Sequence, residues 1–498
     1  MENSKEFDLS IFIFRRDHRL IDNNGLNAAC NRSKTVIPIY HLNPVQLDPE
    51  KNAFFGHASV QIMAETLDDL NQSLQEIGSR LFYFEGDLEK SINTILDETN
   101  AQAIFVNEDY SPFSRARDEK IAKICEERGV KFFSHHDLML VEKGKVLKKD
   151  GKFFTQFTPY FLKASKIEIP RPLVHLPKNF MGKDMEYPSE YKGSLHKLYI
   201  ANPNIECHGG RKNGILALDK LSNFKDYAKN RIYPFANTTR ISAYAKYGAI
   251  SIREIYWTIV DRLGKKHDLT RQLFWRDFYY NIIYFYPETV FNSFMPQFKG
   301  IEWPFDEVWF NKWKEGNTGY PFIDAGMRHL KTTNYFPNVM RLVVANFLVK
   351  ILLIDWRKGQ MYMARVMLDY DLAQNNGGWQ WAASTGAFKQ PFDVIFNPWV
   401  QSDQYDKDCL YIKKWCPELK DVPPAHIHNW EQYCEQYPDI GYPKPIVYFE
   451  ERKKEVLNWY AQFYGKGGKN RNSVDDAAID EAMFDDDDDG LDHDVEDF

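Results

Sequence analysis

The first third of the chain alternates short apolar runs with longer amphipathic ones. Residues 9–14, 36–40, 81–84, 103–106 and 130–133 are brief β-branched and aromatic stretches, the chemistry of buried strands. Between them, residues 59–77 and 116–128 carry helical patterns, the second closing on Gly129 as a natural C-cap. Apolar strands separated by helices predict a doubly wound parallel five-stranded sheet over residues 1–137. No G-x-G-x-x-G loop follows the first strand, which argues against a dinucleotide held here in the usual way.

Residues 138–205 mix Lys, Pro and polar groups without a sustained period and are expected to form an extended inter-domain linker. Residues 206–464 read as a large helical body, with 339–354 repeating apolar positions at three and four spacing. The fold class is thus α/β followed by all-α. From residue 465 the chain is low in complexity and runs into Asp485-Asp486-Asp487-Asp488-Asp489. Such a segment cannot bury enough apolar surface to order itself and is expected to be a disordered acidic tail. A sharper reading makes it a phosphate mimic that competes for a basic body.

Charge changes this picture in one respect. The net value of −7 is set by the tail. Thirteen of the 70 acidic residues fall between Asp475 and Phe498, leaving 63 basic against 57 acidic residues before it. A mildly basic body is compatible with nucleic acid without demanding it. Aromatic residues reach 15%, which fits either a large helical core or a surface that stacks bases or a flavin. Six cysteines show no CxxC and no framework spacing, as reduced intracellular thiols do. The polar N-terminus is not a signal peptide, and no run approaches the ~20 apolar residues of a membrane span. The expectation is a monomer in the cytoplasm, or in the nucleus if the source has one, with no membrane partner.

The densest chemistry is Asn375-Asn376-Gly377-Gly378-Trp379-Gln380-Trp381. Tryptophans two positions apart on a helix point roughly 200° apart, so one can face a buried cofactor and the other a cleft. This segment resembles the flavin-site signature of the photolyase/cryptochrome family. Phe14-Arg15-Arg16-Asp17-His18-Arg19-Leu20, Phe157-Thr158-Pro159-Tyr160, Thr238-Thr239-Arg240-Ile241-Ser242, Trp275-Arg276-Asp277-Phe278-Tyr279, Asp324-Ala325-Gly326-Met327-Arg328 and Phe396-Asn397-Pro398 extend the resemblance, in order, over nearly the whole chain before the tail.

The resemblance implies flavin adenine dinucleotide (FAD) in the helical half. Thr238, Thr239, Arg240, Ile241 and Ser242 would hold its pyrophosphate, with Tyr227 nearby. Arg341 and Asp369 would pair beside the ring, where a guanidinium stabilises the charge of reduced flavin. Asp371, Asn375, Gln272, Arg276 and Asn338 would complete the contacts; a neutral amide such as Asn375 can both donate and accept. Trp379, Trp356 and Trp303 would form an electron-transfer chain. Trp275 and Trp381 would clamp a flipped-out pyrimidine dimer, whose weak stacking lowers the cost of extrusion, while Asn338 and Gln272 bond its polar edge.

Four departures bear on substrate. Gln272 replaces a glutamate usual in cyclobutane-dimer photolyases, Leu342 replaces a methionine, and Val339 and Val394 stand where DNA-phosphate arginines are common. Asn338 and Leu342, being non-histidine, argue against six-four repair. The implied function is blue-light repair of cyclobutane pyrimidine dimers in DNA. The alternatives are a cryptochrome-type photoreceptor with a protein partner, and a light-independent nucleic-acid-binding protein with a residual flavin fold. Phe113 and Ser114 do not match a folate antenna pair; a deazaflavin, a flavin or no antenna stays open.

Overall fold

The computed structural model describes residues 5–463; the sequence-based tail lies outside them. Five strands form one parallel sheet: β1 (Phe7–Phe14), β2 (Ser33–Leu42), β3 (Phe82–Glu85), β4 (Ala103–Asn107) and β5 (Lys131–His135), in the order β3-β2-β1-β4-β5. Strand β1 shows why both faces are covered. Ile11 and Ile13 face a cluster built with Ile92, Ile95 and Ile124, while Phe12 and Phe14 face one built with Leu26, Leu67 and Leu70. The period of two therefore feeds two separate cores. Gly129 adopts φ +67, closing the preceding helix.

Residues 138–205 are more than a connection. They contain the helix Phe157–Ala164, and Phe153, Phe157 and Tyr160 are buried in the core of the helical half. The chain then returns to the sheet. Strand β3 pairs β2 only from Ile39 to Leu42, and the uncovered start of β2 is completed when Val36 donates to Asn179 O at 2.9 Å and accepts from Met181 N at 2.8 Å. An open edge is thereby capped. Lack of periodicity concealed this because the segment packs through single aromatic anchors rather than through a repeating face.

The helical half begins with Arg211–Asp219. Four of its helices matter most for the site: Asp268–Phe285, Asn338–Lys350, Trp356–Val366 and Leu372–Ala382. Helix Asn338–Lys350 is buried on most of its circumference, which explains an apolar run broader than one stripe. The two halves are joined by buried ion pairs. Arg253 bonds Asp22 and Asp137, and Arg19 bonds Asp137. All six cysteines are unpaired and buried. Among the described residues no helix is long and apolar enough to cross a membrane.

Candidate functional site

Two adjoining cavities lie in the helical half. The outer, of about 410 Å³, is bounded by helices Asp268–Phe285 and Asn338–Lys350 together with the 238–242 segment. The inner, of about 170 Å³, lies deeper, between Asn338–Lys350 and Leu372–Ala382. Asn338, Arg341, Leu342, Asp369 and Gly378 line both, so one elongated ligand could occupy the pair.

The predicted phosphate segment lines the outer cavity, as does Tyr227. Its polar groups are partly committed. The Arg240 guanidinium pairs with Glu206 at 2.6 Å and bonds Thr238 O at 2.9 Å. Ser242 donates to Asp369 at 2.7 Å, and the Thr238 and Tyr335 hydroxyls meet at 3.2 Å. Arg240 also holds a left-handed backbone, φ 52, an uncommon state for a non-glycine residue and one concentrated at functional sites.

Deeper in, Arg341 pairs with Asp369 at 2.9 Å, as expected from sequence. Burial works against the Arg341 charge, yet the Asp369 carboxylate keeps its pKa above the ordinary value. Asp371 caps helix Leu372–Ala382 by accepting from Ala373 N and Gln374 N, and it is bonded by Arg16 and Tyr280. Burial would raise its pKa, but Arg16, Lys246 and Arg276 hold it below the carboxylate range. Arg276 donates to Leu138 O at 2.5 Å and borders both cavities. Asn375 donates to Gln360 O at 3.0 Å while facing the inner cavity.

The glycine pair has a split role. A Cβ on Gly377 would fall 2.1 Å from the Tyr279 ring, so its absence lets two helices touch. A Cβ on Gly378 would meet nothing within 4 Å, because that position faces the cavities. The neighbouring walls, Ala245, Ala345, Met363 and Met367, are apolar. Cations and hydroxyls at one end and an apolar slot at the other suit a dinucleotide with a flat aromatic ring.

The tryptophans divide as their spacing predicts. Trp379 faces the inner cavity and Trp381 the outer. Trp275 also lines the outer cavity, and Phe157 covers its ring in a stack with centroids 3.5 Å apart and 6° between planes. Gln272, Asn338 and Leu342 share that wall. Trp379 lies against the backbone of Gly359, where a Cβ would stand 2.2 Å from its ring, one helical turn beyond Trp356. Trp356 is fully buried; Trp303 is half-buried and packs against the same core. Two of them make ring contacts with other tryptophans: Trp379 meets Trp313 at 6.2 Å and Trp303 meets Trp459 at 4.8 Å.

Val339 is 2% exposed and packs in the core, and it also lines the wall of the outer cavity beside Asn338 and Leu342. Val394 is half-buried and remains accessible. Sequence reasoning also missed Phe157 as the platform for Trp275, and Lys246. Burial, with Arg16 beside it, pushes the Lys246 amine down to about 7.

Lys246 also borders a third cavity of about 210 Å³ at the carboxyl ends of β1 and β2, the end of a doubly wound sheet at which ligands bind. Tyr40, Phe54, Tyr247 and Tyr370 supply aromatic walls. Nearby, Arg15 Nη2, Arg117 Nη2 and His41 Nε2 are buried without a hydrogen-bond partner among the described residues. Unpaired buried donors at a cavity point to a missing polar ligand or water.

A parallel-sheet domain joined to a helical domain with this two-part cavity defines the class: a flavoprotein with a nucleotide-cofactor chamber. The comparisons with known proteins agree. The family model for DNA photolyase matches residues 10–177, and that for the FAD binding domain of DNA photolyase matches residues 269–462. The deoxyribodipyrimidine photo-lyase of Alkalihalophilus pseudofirmus is 31% identical over 473 residues, covering 90% of this chain and 96% of that one. A Sulfolobus tokodaii photolyase solved with two FAD molecules is 39% identical, with TM-score 0.81, covering 91% and 100%. A Synechocystis cryptochrome is 26% identical, with TM-score 0.81, covering 90% and 98%. The chain belongs to the DNA photolyase family, as a photo-lyase with an FAD-binding helical half.

Proposed function

We propose that the protein repairs cyclobutane pyrimidine dimers in DNA under blue light. The observation that carries this reading is the wall that the two cavities share. The outer, lined by Trp275 and Trp381, adjoins the cofactor chamber at Asn338 and Leu342, which line both. A flipped-out dimer seated between those indoles would lie next to the chamber. Bound FAD supplies the light-driven electron. The chain supplies position and charge.

Trp275 lines the outer cavity with its indole stacked on Phe157, which fixes the ring for a flat lesion. Asn338 and Gln272 offer amide donors and acceptors to the pyrimidine edge. The Arg341–Asp369 pair provides positive charge for an anionic ring while the carboxylate anchors it. Trp379, Trp356 and Trp303 relay electrons inward to restore the reduced cofactor. The third cavity, with its aromatic walls and unpaired buried donors, is proposed to take a second planar chromophore. The Sulfolobus tokodaii relative with two FAD molecules supports a flavin over a folate there.

Reduced, illuminated protein mixed with dimer-bearing DNA should remove dimers only in the light. Flavin bleaching without dimer loss would favour the photoreceptor alternative and defeat this reading. Trp381→Ala should abolish repair while FAD stays bound; if FAD is lost instead, the cleft assignment is wrong. Trp356→Phe should block photoreduction and spare repair by chemically pre-reduced protein.

A further inference from the structure

The proposed relay ends at Trp303, yet Trp303 is poorly placed to finish the job. An indole that gives up an electron becomes a cation radical, and the charge returns to the flavin unless the indole nitrogen loses its proton. Trp303 Nε1 and Trp356 Nε1 are both buried, with no hydrogen-bond partner among the described residues. Among the described residues neither indole nitrogen has an acceptor in hydrogen-bond reach to take its proton.

Two aromatic rings of helix Phe449–Ala461 touch Trp303: Trp459 at 4.8 Å between centroids and Tyr460 at 6.1 Å. Tyr460 is fully buried, and its hydroxyl donates to Ala383 O at 3.1 Å. A phenol yields an electron readily only when its proton leaves with it, and a fully buried hydroxyl gives that proton no direct path to solvent. Trp459 is half-buried and lines an open surface groove with Phe305, Trp309 and Glu455. It is both the nearer ring and the one with access to solvent.

We infer that Trp459 is the terminal residue of the electron relay, the indole from which the oxidised relay loses its proton to solvent. The inference rests on the relay reading above. Trp459 passes one electron to the Trp303 cation radical, which returns to neutral indole. Trp459 then releases its indole proton to water and stands as a neutral radical, while the flavin holds the one added electron. A thiol in solution restores Trp459 by giving one hydrogen atom, and two thiols so spent couple to a disulfide.

Time-resolved absorption on the full chain with oxidised FAD tests this. In the unaltered protein the long-lived radical should be the neutral indolyl form, and its formation should slow in heavy water; a radical that remains cationic until it decays would overturn the inference. Trp459→Phe should shorten the radical lifetime at least tenfold, whereas Tyr460→Phe should leave it unchanged. An unchanged lifetime in Trp459→Phe, with loss in Trp356→Phe, removes Trp459 alone. An unchanged lifetime in both variants removes the relay itself. If Trp459→Phe fails to fold, Trp459→Tyr, which keeps an aromatic ring at the position, decides the matter: the long-lived radical should then be tyrosyl, and a long-lived indolyl radical in that variant would overturn the inference.

Discussion

Gly378 and Gly377 are chemically identical neighbours with opposite surroundings, and each makes a different prediction. Gly378→Ala adds a methyl to open space and should be tolerated. Gly378→Leu fills the chamber and should weaken FAD retention by at least about tenfold, ~1.4 kcal/mol, as read from flavin absorbance after gel filtration. Retention of stoichiometric flavin by the leucine variant would displace the cofactor from this cavity. Lys246 makes a pH prediction for the cofactor-free protein. Its amine sits near 7 when folded, against an ordinary lysine value of about 10.4 when unfolded. Between those values the unfolded chain binds the extra proton, so this group favours folding increasingly as pH rises from about 7 to about 10. Below 7 its cost is fully present. Lys246→Met should therefore stabilise most near pH 6, with the gain fading by pH 10, in thermal melts across pH. A gain independent of pH would refute the assignment. From sequence, Arg341, Asp369 and Asn375 were legible through resemblance. Lys246 was not, because nothing in a lone lysine reveals that the fold places it between two cavities.

Elements were legible where their period was strong. The five strands appeared within a few residues of their observed bounds because apolar runs covered on both faces leave a continuous signal. Helix 339–354 was read nearly as observed, Asn338–Lys350. Residues 138–205 were misjudged because a segment that packs by isolated anchors has no period to read. Phe157 shows the consequence, since its contact with Trp275 spans more than a hundred positions. Contact between elements gives the prediction at this scale. Gly377→Ala drives a Cβ into Tyr279 and should cost about 1–3 kcal/mol, as overpacking does. Denaturant unfolding would measure it, and Tyr279→Ala should relieve most of the penalty in a double-mutant cycle. Additive effects would mean the two helices do not meet at this point.

At the scale of the molecule, two halves far apart in sequence share one charged seam. Arg253 is 4% exposed and serves Asp22 and Asp137 together. Arg253→Met would leave buried carboxylates short of a partner and should cost about 3–5 kcal/mol, seen as a lower melting temperature; a near-neutral change would show that the seam does not hold the halves together. DNA affinity provides a second measurement. Val394→Arg should steepen the slope of log K against log salt by about 0.9 on duplex DNA, one added phosphate contact. Val339→Arg should destabilise the fold instead, because Val339 is packed in the core where it borders the outer cavity. A stable Val339→Arg protein with a steeper slope would show that this position can carry a phosphate contact.

The chain by itself determined the strands, the helical body, the mildly basic charge before the tail and the kinship that marks a flavin chamber, because these depend on local period, composition and order along the sequence. Only the folded molecule decided which tryptophan faces which cavity, what braces Trp275, which glycine is packed and which is open, and which indole reaches solvent. Those are properties of distances between segments separated by up to hundreds of residues, and packing fixes them where no local pattern can.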